Sequence, residues 1–288
     1  MASFDMHIHS LESDGGDPVS KIVKSVERSK KRIVSITDHN SKLGSTKARN
    51  LVKGNIILIP GTEISTFDKD RNLDVHILGY FYNTESTYLS GLIDFSKDER
   101  NGINKSRIEL LNNIGVNITM KDVLKVANGK KFIAKPHFIK ALARTNYLSL
   151  VKTEEEKDPK NFFRKHIKSP KTQIRPEDAI KTIINAGGIA VVAHIFHTTG
   201  DVPHQVVRSI IEEYILFGLG GVEVYHPKHN ETQIEFLEDL CDEKQLIVTG
   251  GSDYHEKGYG GQIGELPISI EKECEVLLKI FELCRSIM

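Results

Sequence analysis

Short runs of β-branched and apolar residues alternate along the chain with stretches whose apolar positions repeat at helical period. That alternation predicts βα units rather than a sandwich. Seven runs have strand length: residues 4–8, 33–37, 56–59, 75–80, 190–193, 221–224 and 246–248. A first helix is expected with Asp17 as N-cap, Pro18 in the first turn, and Ile22, Val23 and Val26 on its apolar face. Another opens near Arg175-Pro176-Glu177-Asp178, carries Ile180, Ile183 and Ile184, and stops at Gly187-Gly188.

The pattern breaks between residues 86 and 172. No strand is expected there, and helices are read over 89–114 with interruptions, 120–126 and 137–143. From Lys160 to Arg175 the chain has six basic residues and no acidic one. Such a run forms either a solvated face or an electropositive lid over an anionic substrate. A length of 288 residues fits one large α/β barrel or a medium domain carrying an insertion. The expected division is a barrel of residues 1–85 and 173–288 with a helical cap of residues 86–172.

Composition narrows the choice of function. Lys and Arg total 39, as do Asp and Glu, so nothing draws the whole molecule to duplex nucleic acid or an acidic membrane. No apolar run approaches the roughly 18–20 residues of a membrane span. The first residues lack the basic and apolar regions of a signal peptide, so a cytoplasmic protein is expected. The three cysteines have no CxxC spacing and read as reduced thiols. The unusual figure is twelve histidines.

Those histidines, and several carboxylates, fall at the strand ends. His7 and His9 are two apart on the first strand, so both rings share a face. Asp38-His39 ends the second strand and Gly61-Thr62-Glu63 follows the third. The fourth opens with Asp74-Val75-His76, the fifth ends in His194, the sixth in Tyr225-His226, and the seventh leads to Asp253-Tyr254-His255. Imidazole and carboxylate without thiolate suit Zn²⁺, Mn²⁺ or Fe²⁺. About nine such groups exceed the needs of one ion. A carboxylate such as Glu63 can bridge two ions roughly 3.5–4 Å apart.

His7-x-His9, Ser13-Asp14-Gly15, Thr37-Asp38-His39-Asn40, Gly61-x-Glu63, His76-Ile77-Leu78-Gly79, Ala193-His194 and Ser252-Asp253-x-His255 together resemble the ordered motifs of the PHP (polymerase and histidinol phosphatase) superfamily. The resemblance implies a distorted (β/α)7 TIM-like barrel with two or three divalent ions at its C-terminal face. It implies His7, His9, Glu63 and Asp253 around a first ion, and Glu63, His76 and His194 around a second. Asp14, His39 and His255 would surround a third, with Asp5 and Asp38 orienting the imidazoles. Glu63, His194, Asp253 and His255 are the expected catalytic groups.

Arg107-Ile108 and Lys135-Pro136-His137-Phe138 in the insertion resemble the branch containing nucleoside 3′,5′-bisphosphate phosphatases and RNA-end 5′→3′ exonucleases. The chain has Lys135 where that branch usually has Arg, and Ile195 where it favours Pro. Lys135, His137, Arg107, His226 and His229 are the expected substrate-binding residues. The implied activity is metal-dependent hydrolysis of a phosphomonoester on a small nucleotide or short RNA end. A cyclic-phosphate phosphodiesterase is the nearest alternative, ahead of a histidinol phosphate phosphatase or a non-catalytic module.

Overall fold

The computed structural model describes residues 2–29, 31–200, 202–258 and 260–287. Within them β1 (Phe4–Ile8), β2 (Ile33–Ile36) and β3 (Ile57–Leu58) form a parallel sheet in that order. A second sheet contains β4 (Gly61–Asp68), β5 (Leu73–Tyr80), β6 (Ile189–Val192), β7 (Gly221–Tyr225) and β8 (Ile247–Gly250). β5 runs antiparallel to β4 and β6, whereas β6, β7 and β8 are parallel. Isolated bridges join the two sheets at both edges, His39 to Glu63 and Ile8 to Tyr254.

The helices are α1 (Val19–Arg28), α2 (Leu43–Arg49), α3 (Thr87–Asn113), α4 (Met120–Ala127), α5 (Lys135–Leu142), α6 (Pro159–His166), α7 (Pro176–Asn185), α8 (Ile195–Thr199), α9 (His204–Leu216), α10 (Glu231–Lys244) and α11 (Ile270–Ile287). α7 packs on β5 and β6, α10 on β7 and α11 on β8. The principal core includes Phe4, Met6, Ile64, Ile77, Val192 and Val222, all essentially inaccessible. Each such side chain contributes about 1.5–3 kcal/mol by leaving water. Residues 111–167 have an apolar cluster of their own around Leu111, Phe138, Phe162 and Phe163. Among the described residues no helix is long and apolar enough to cross a membrane.

The strand reading changes at β4. Only seven strands were expected, because Thr62, Glu63, Ser65 and Thr66 make this segment look like a loop. All eight β4 residues are buried. Its polar side chains are sequestered in the protein rather than turned to bulk solvent. β4 and β5 make a hairpin, with Glu63 opposite Leu78 and Ser65 opposite His76. The expectation of parallel strands therefore fails at β5. The first helix also starts differently: Pro18 occupies the N-cap position. The Asp17 carboxylate instead accepts from the Tyr254 hydroxyl and the Lys21 ammonium, both at 2.6 Å.

Gly251 shows how closely β1 approaches the end of β8. A Cβ placed there would lie 2.1 Å from His7 Cβ and 2.5 Å from its backbone nitrogen. Gly251→Ala should cost about 1–3 kcal/mol through overpacking. An unchanged urea midpoint would contradict that contact.

Candidate metal centre

β1 delivers His7 from within the strand and His9 just beyond it; both are fully buried. Their Nε2 atoms lie 3.1 Å apart. Glu63, fully buried on β4, stands at the centre of the cluster. Its Oε2 lies 3.3 Å from His7 Nε2, 3.2 Å from His9 Nε2 and 3.0 Å from His39 Nδ1. Its Oε1 lies 2.8 Å from His76 Nδ1 and 3.0 Å from His194 Nε2. One carboxylate thus faces five imidazoles, divided between its two oxygens.

Two flanking carboxylates complete the donor set. Asp253 Oδ1 is 3.2 Å from His9 Nε2 and 3.5 Å from His7 Nε2. Asp14 Oδ1 is 3.4 Å from His255 Nε2 and 3.7 Å from His9 Nδ1, while Asp14 Oδ2 is 4.0 Å from His39 Nε2. All nine residues expected to hold metal come together. Four overlapping groups each bring their ligand atoms within 4.8 Å of one another: His9 with Asp14, His39 and His255; His7 with His9 and Glu63; His7 with His194 and Asp253; and His39 with Glu63 and His76. His39 lies in two groups, so the geometry is less partitioned than three separate ligand sets.

The donor set fits divalent cations. Glu63 Oε2 and Asp14 Oδ1 are buried without a hydrogen-bond partner despite the nearby imidazole nitrogens. A bound cation would satisfy both oxygens, and an unpaired buried carboxylate oxygen is otherwise costly. The backbone is also unusual here. Asn40, His194 and Asp253, which follow β2, β6 and β8, have φ of 47°, 22° and 51°. Such positions persist only when the surroundings hold them. Asn40 donates its N–H to the Glu63 carbonyl (2.8 Å), and its side-chain oxygen accepts from Ser65 N (2.9 Å).

Glu223 was not anticipated. It is fully buried on β7, with Oε1 3.0 Å from His7 Nδ1 and Oε2 accepting from His194 N at 2.9 Å. It therefore orients one candidate ligand and anchors another's backbone. The signal was available: a lone carboxylate inside the apolar run Gly221-Val222-Glu223-Val224-Tyr225. Asp5 and Asp38 serve differently from expectation. Asp5 accepts from the backbone of His7 (3.2 Å), Ser252 (3.0 Å) and Gly264 (2.7 Å). Asp38 accepts from Ser10 N and Oγ, both at 2.7 Å, and from Ser13 Oγ at 2.6 Å. They fix the loops that carry the imidazoles rather than the rings.

A cavity of about 780 Å³ opens above the cluster, reaching it through Asp14, His39 and His76. Its wall carries Arg100, Arg107, Lys135, Arg164, Lys168 and Lys171. Three expected substrate-binding residues do not line it. His137 Nδ1 accepts from Ala134 N (3.0 Å) at the start of its own helix. His229 donates from Nδ1 to the Val224 carbonyl (2.9 Å), and His226 lies behind Asp253, Nε2 to Oδ2 3.7 Å.

No family model matches the chain. It is 26% identical over 274 residues to a phosphoribosyl 1,2-cyclic phosphate 1,2-diphosphodiesterase of Eggerthella lenta, covering 91% of this chain and 96% of that one. It is 26% identical over 272 residues to a 3′,5′-nucleoside bisphosphate phosphatase of Chromobacterium violaceum, covering 91% and 90%. A 5′-3′ exoribonuclease of Haemophilus influenzae is 26% identical over 264 residues, covering 88% and 89%. A solved structure from Bifidobacterium adolescentis, described as a metal-dependent phosphoesterase, superposes with a TM-score of 0.76 at 27% identity, covering 96% and 95%. The protein is a metal-dependent phosphoric ester hydrolase, similar over nearly its whole length to these phosphoesterases.

In the metal-free phosphoesterase, protons occupy part of the cluster. Burial disfavours charge on His7, but Glu223, Glu63 and Asp253 override it and hold the ring well above its usual pKa. Burial likewise opposes charge on His9, while Asp253, Glu63 and Asp14 raise it to about 10. Burial opposes ionisation of Glu63 too, yet the surrounding imidazoles keep it well below the usual carboxylate range. Cations entering this site would displace protons that the His7–His9 pair holds. Uptake of Mn²⁺ at pH 7 should therefore release protons, read by calorimetry in buffers of different ionisation enthalpy. Identical heats in all buffers would contradict the assignment.

Proposed function

We propose that the protein hydrolyses a phosphomonoester on a small substrate carrying a second anionic group, such as a nucleoside 3′,5′-bisphosphate or a short 5′-phosphorylated RNA end. The observation that carries this reading is the cavity itself, with a nine-residue donor cluster at its floor and six cationic side chains in its wall. The chain as a whole has no net charge, so this positive wall is a local construction. The relatives named as a bisphosphate phosphatase and an exoribonuclease support the substrate class. The Eggerthella lenta relative favours a second reading, opening of a cyclic phosphate by the same centre.

In this reading the two sheets, joined by bridges at both edges, form one distorted barrel, and residues 86–172 cap it. His7, His9, Asp14, His39, Glu63, His76, His194, Asp253 and His255 hold two or three divalent ions. Such ions stabilise charge on phosphoryl oxygens and lower the pKa of water. The residues supply placement. Glu63 holds both halves of the cluster in register, Glu223 fixes the His7 tautomer, and Asp38 holds the Ser10–Ser13 turn. Burial of the floor excludes bulk solvent and strengthens each electrostatic contact.

In this proposal Lys135 and Arg107, both in the cavity wall, read the second anionic group. Arg107 is buried and oriented by Asn104 Oδ1 (3.0 Å) and Ser169 Oγ (3.1 Å). Burial, with Lys171 and Arg107 nearby, lowers the Lys135 pKa, the expected consequence of cations gathered to meet an anion.

A phosphate-release panel of mononucleotides, 3′,5′-bisphosphates, cyclic phosphates and 5′-phosphorylated short RNAs, before and after chelation, tests the reading. Lys135→Ala should raise KM at least tenfold for a bisphosphate and much less for a simple monoester. An equal loss of kcat/KM on both would remove Lys135 from recognition of the second phosphate.

A further inference from the structure

Arg100 differs from the other two arginines of the cavity wall, Arg107 and Arg164, which both donate hydrogen bonds to neighbouring side chains. It lies on α3 seven residues before Arg107, so the two share a helix face and are about 10.5 Å apart along its axis. Arg107 is held by Asn104 and Ser169, and Lys171 is paired with Asp74. Among the described residues Arg100 has no hydrogen bond or ion pair, and its Nε is buried without a partner. A guanidinium nitrogen buried in that condition is expensive unless an anion satisfies it.

Its position is nevertheless fixed. The guanidinium carbon lies 4.3 Å from the centroid of the Phe132 ring. That ring in turn stacks on His39, with centroids 5.0 Å apart and planes 27° from parallel. Phe132 N donates to the Ser13 carbonyl (2.9 Å), and Lys131 N to the Leu11 carbonyl (3.1 Å). The segment bearing the aromatic platform is thus bonded to the loop that carries Asp14. Arg100 lines the main cavity alongside Asp14, His39 and His76. Burial lowers its pKa against the opposing pull of Glu99, Asp14 and Asp74.

We infer that Arg100 binds the phosphoryl group undergoing transfer, with Phe132 as its positioning residue. Arg107 and Lys135 are left to the more distant anion. A planar guanidinium can donate two parallel hydrogen bonds to phosphoryl oxygens, and Arg100 has all its hydrogens free. The stack on Phe132 fixes the plane before substrate arrives. This assignment rests on the phosphoesterase reading for the chemistry, but not for the anion site.

The test compares wild type, Arg100→Gln and Arg100→Lys, each loaded with Mn²⁺. The readouts are 4-nitrophenyl phosphate turnover, calorimetric binding of inorganic phosphate, metal content and thermal midpoint. Arg100→Gln should lower kcat/KM about 100-fold, mainly in kcat, as loss of a donor to developing charge does. Phosphate should bind at least tenfold more weakly, with metal content unchanged. The thermal midpoint should be no lower than that of wild type, because an unpaired buried cation has been removed. Arg100→Lys should recover part of both losses.

Phosphate affinity within twofold of wild type in Arg100→Gln overturns the assignment, as does a wild type that binds no phosphate. Loss of metal or a lower midpoint in Arg100→Gln also overturns it, since the side chain would then support the fold rather than an anion. If wild type binds phosphate through Arg100 but hydrolyses no phosphate ester, the phosphoesterase reading fails and the anion site stands.

Discussion

The structure depends on a single buried carboxylate. Glu63 is inaccessible to solvent, yet its two oxygens lie within about 3.3 Å of nitrogens from five histidines. A carboxylate there is tolerable only among positive partners, because an isolated buried anion would neutralise instead. Protons on the imidazoles offset part of that cost in the metal-free chain, and the proposed divalent ions would replace them. Four acidic residues, Asp14, Glu63, Glu223 and Asp253, share the region, and the pKa of each lies below its ordinary value. The site therefore stores negative charge in a form that cations can use.

Much of the surrounding backbone serves to place that carboxylate. β4 joins the two sheets through the His39–Glu63 bridge, and its hairpin with β5 brings His76 beside Glu63. Positive φ at Asn40, His194 and Asp253 turns the chain abruptly after three strands; Glu223 accepts from His194 N and Ser65 N donates to Asn40 Oδ1, restraining two of those turns. Above this rigid floor lies a separately packed helical segment bearing most of the cations. Floor and segment meet where Phe132 stacks on His39. The two parts are also joined by the hydrogen bonds from Lys131 N and Phe132 N to the Leu11 and Ser13 carbonyls.

How far the sequence foretold this depended on the local pattern. His7-x-His9 and Asp253-x-His255 were legible because short spacings constrain where the side chains can point. The helices over 89–114, 120–126 and 137–143 appear as α3, α4 and α5, shifted by a residue or two at their ends. β4 was hidden because its buried residues are largely polar, so hydrophobic periodicity had nothing to register. Glu223 could have been found as an isolated charge in an apolar strand. His137, His226 and His229 looked like rim residues, whereas Nδ1 of each is engaged with local backbone. The cationic wall was partly visible: Arg107 and Lys135 were expected, and the basic run over 160–175 left an electropositive lid open, but which of its residues gather beside Arg100 is decided only when the insertion folds.

The central claim is that Glu63 organises the metal centre as a charged bridge. The most direct measurement is elemental analysis of Glu63→Gln beside wild type after equal exposure to Mn²⁺, with turnover and the metal-free thermal midpoint recorded on the same samples. The account predicts at least one fewer bound ion per chain, turnover reduced by about 100-fold or more, and a metal-free midpoint close to that of wild type. A variant that retains the full complement of ions and normal turnover would contradict it.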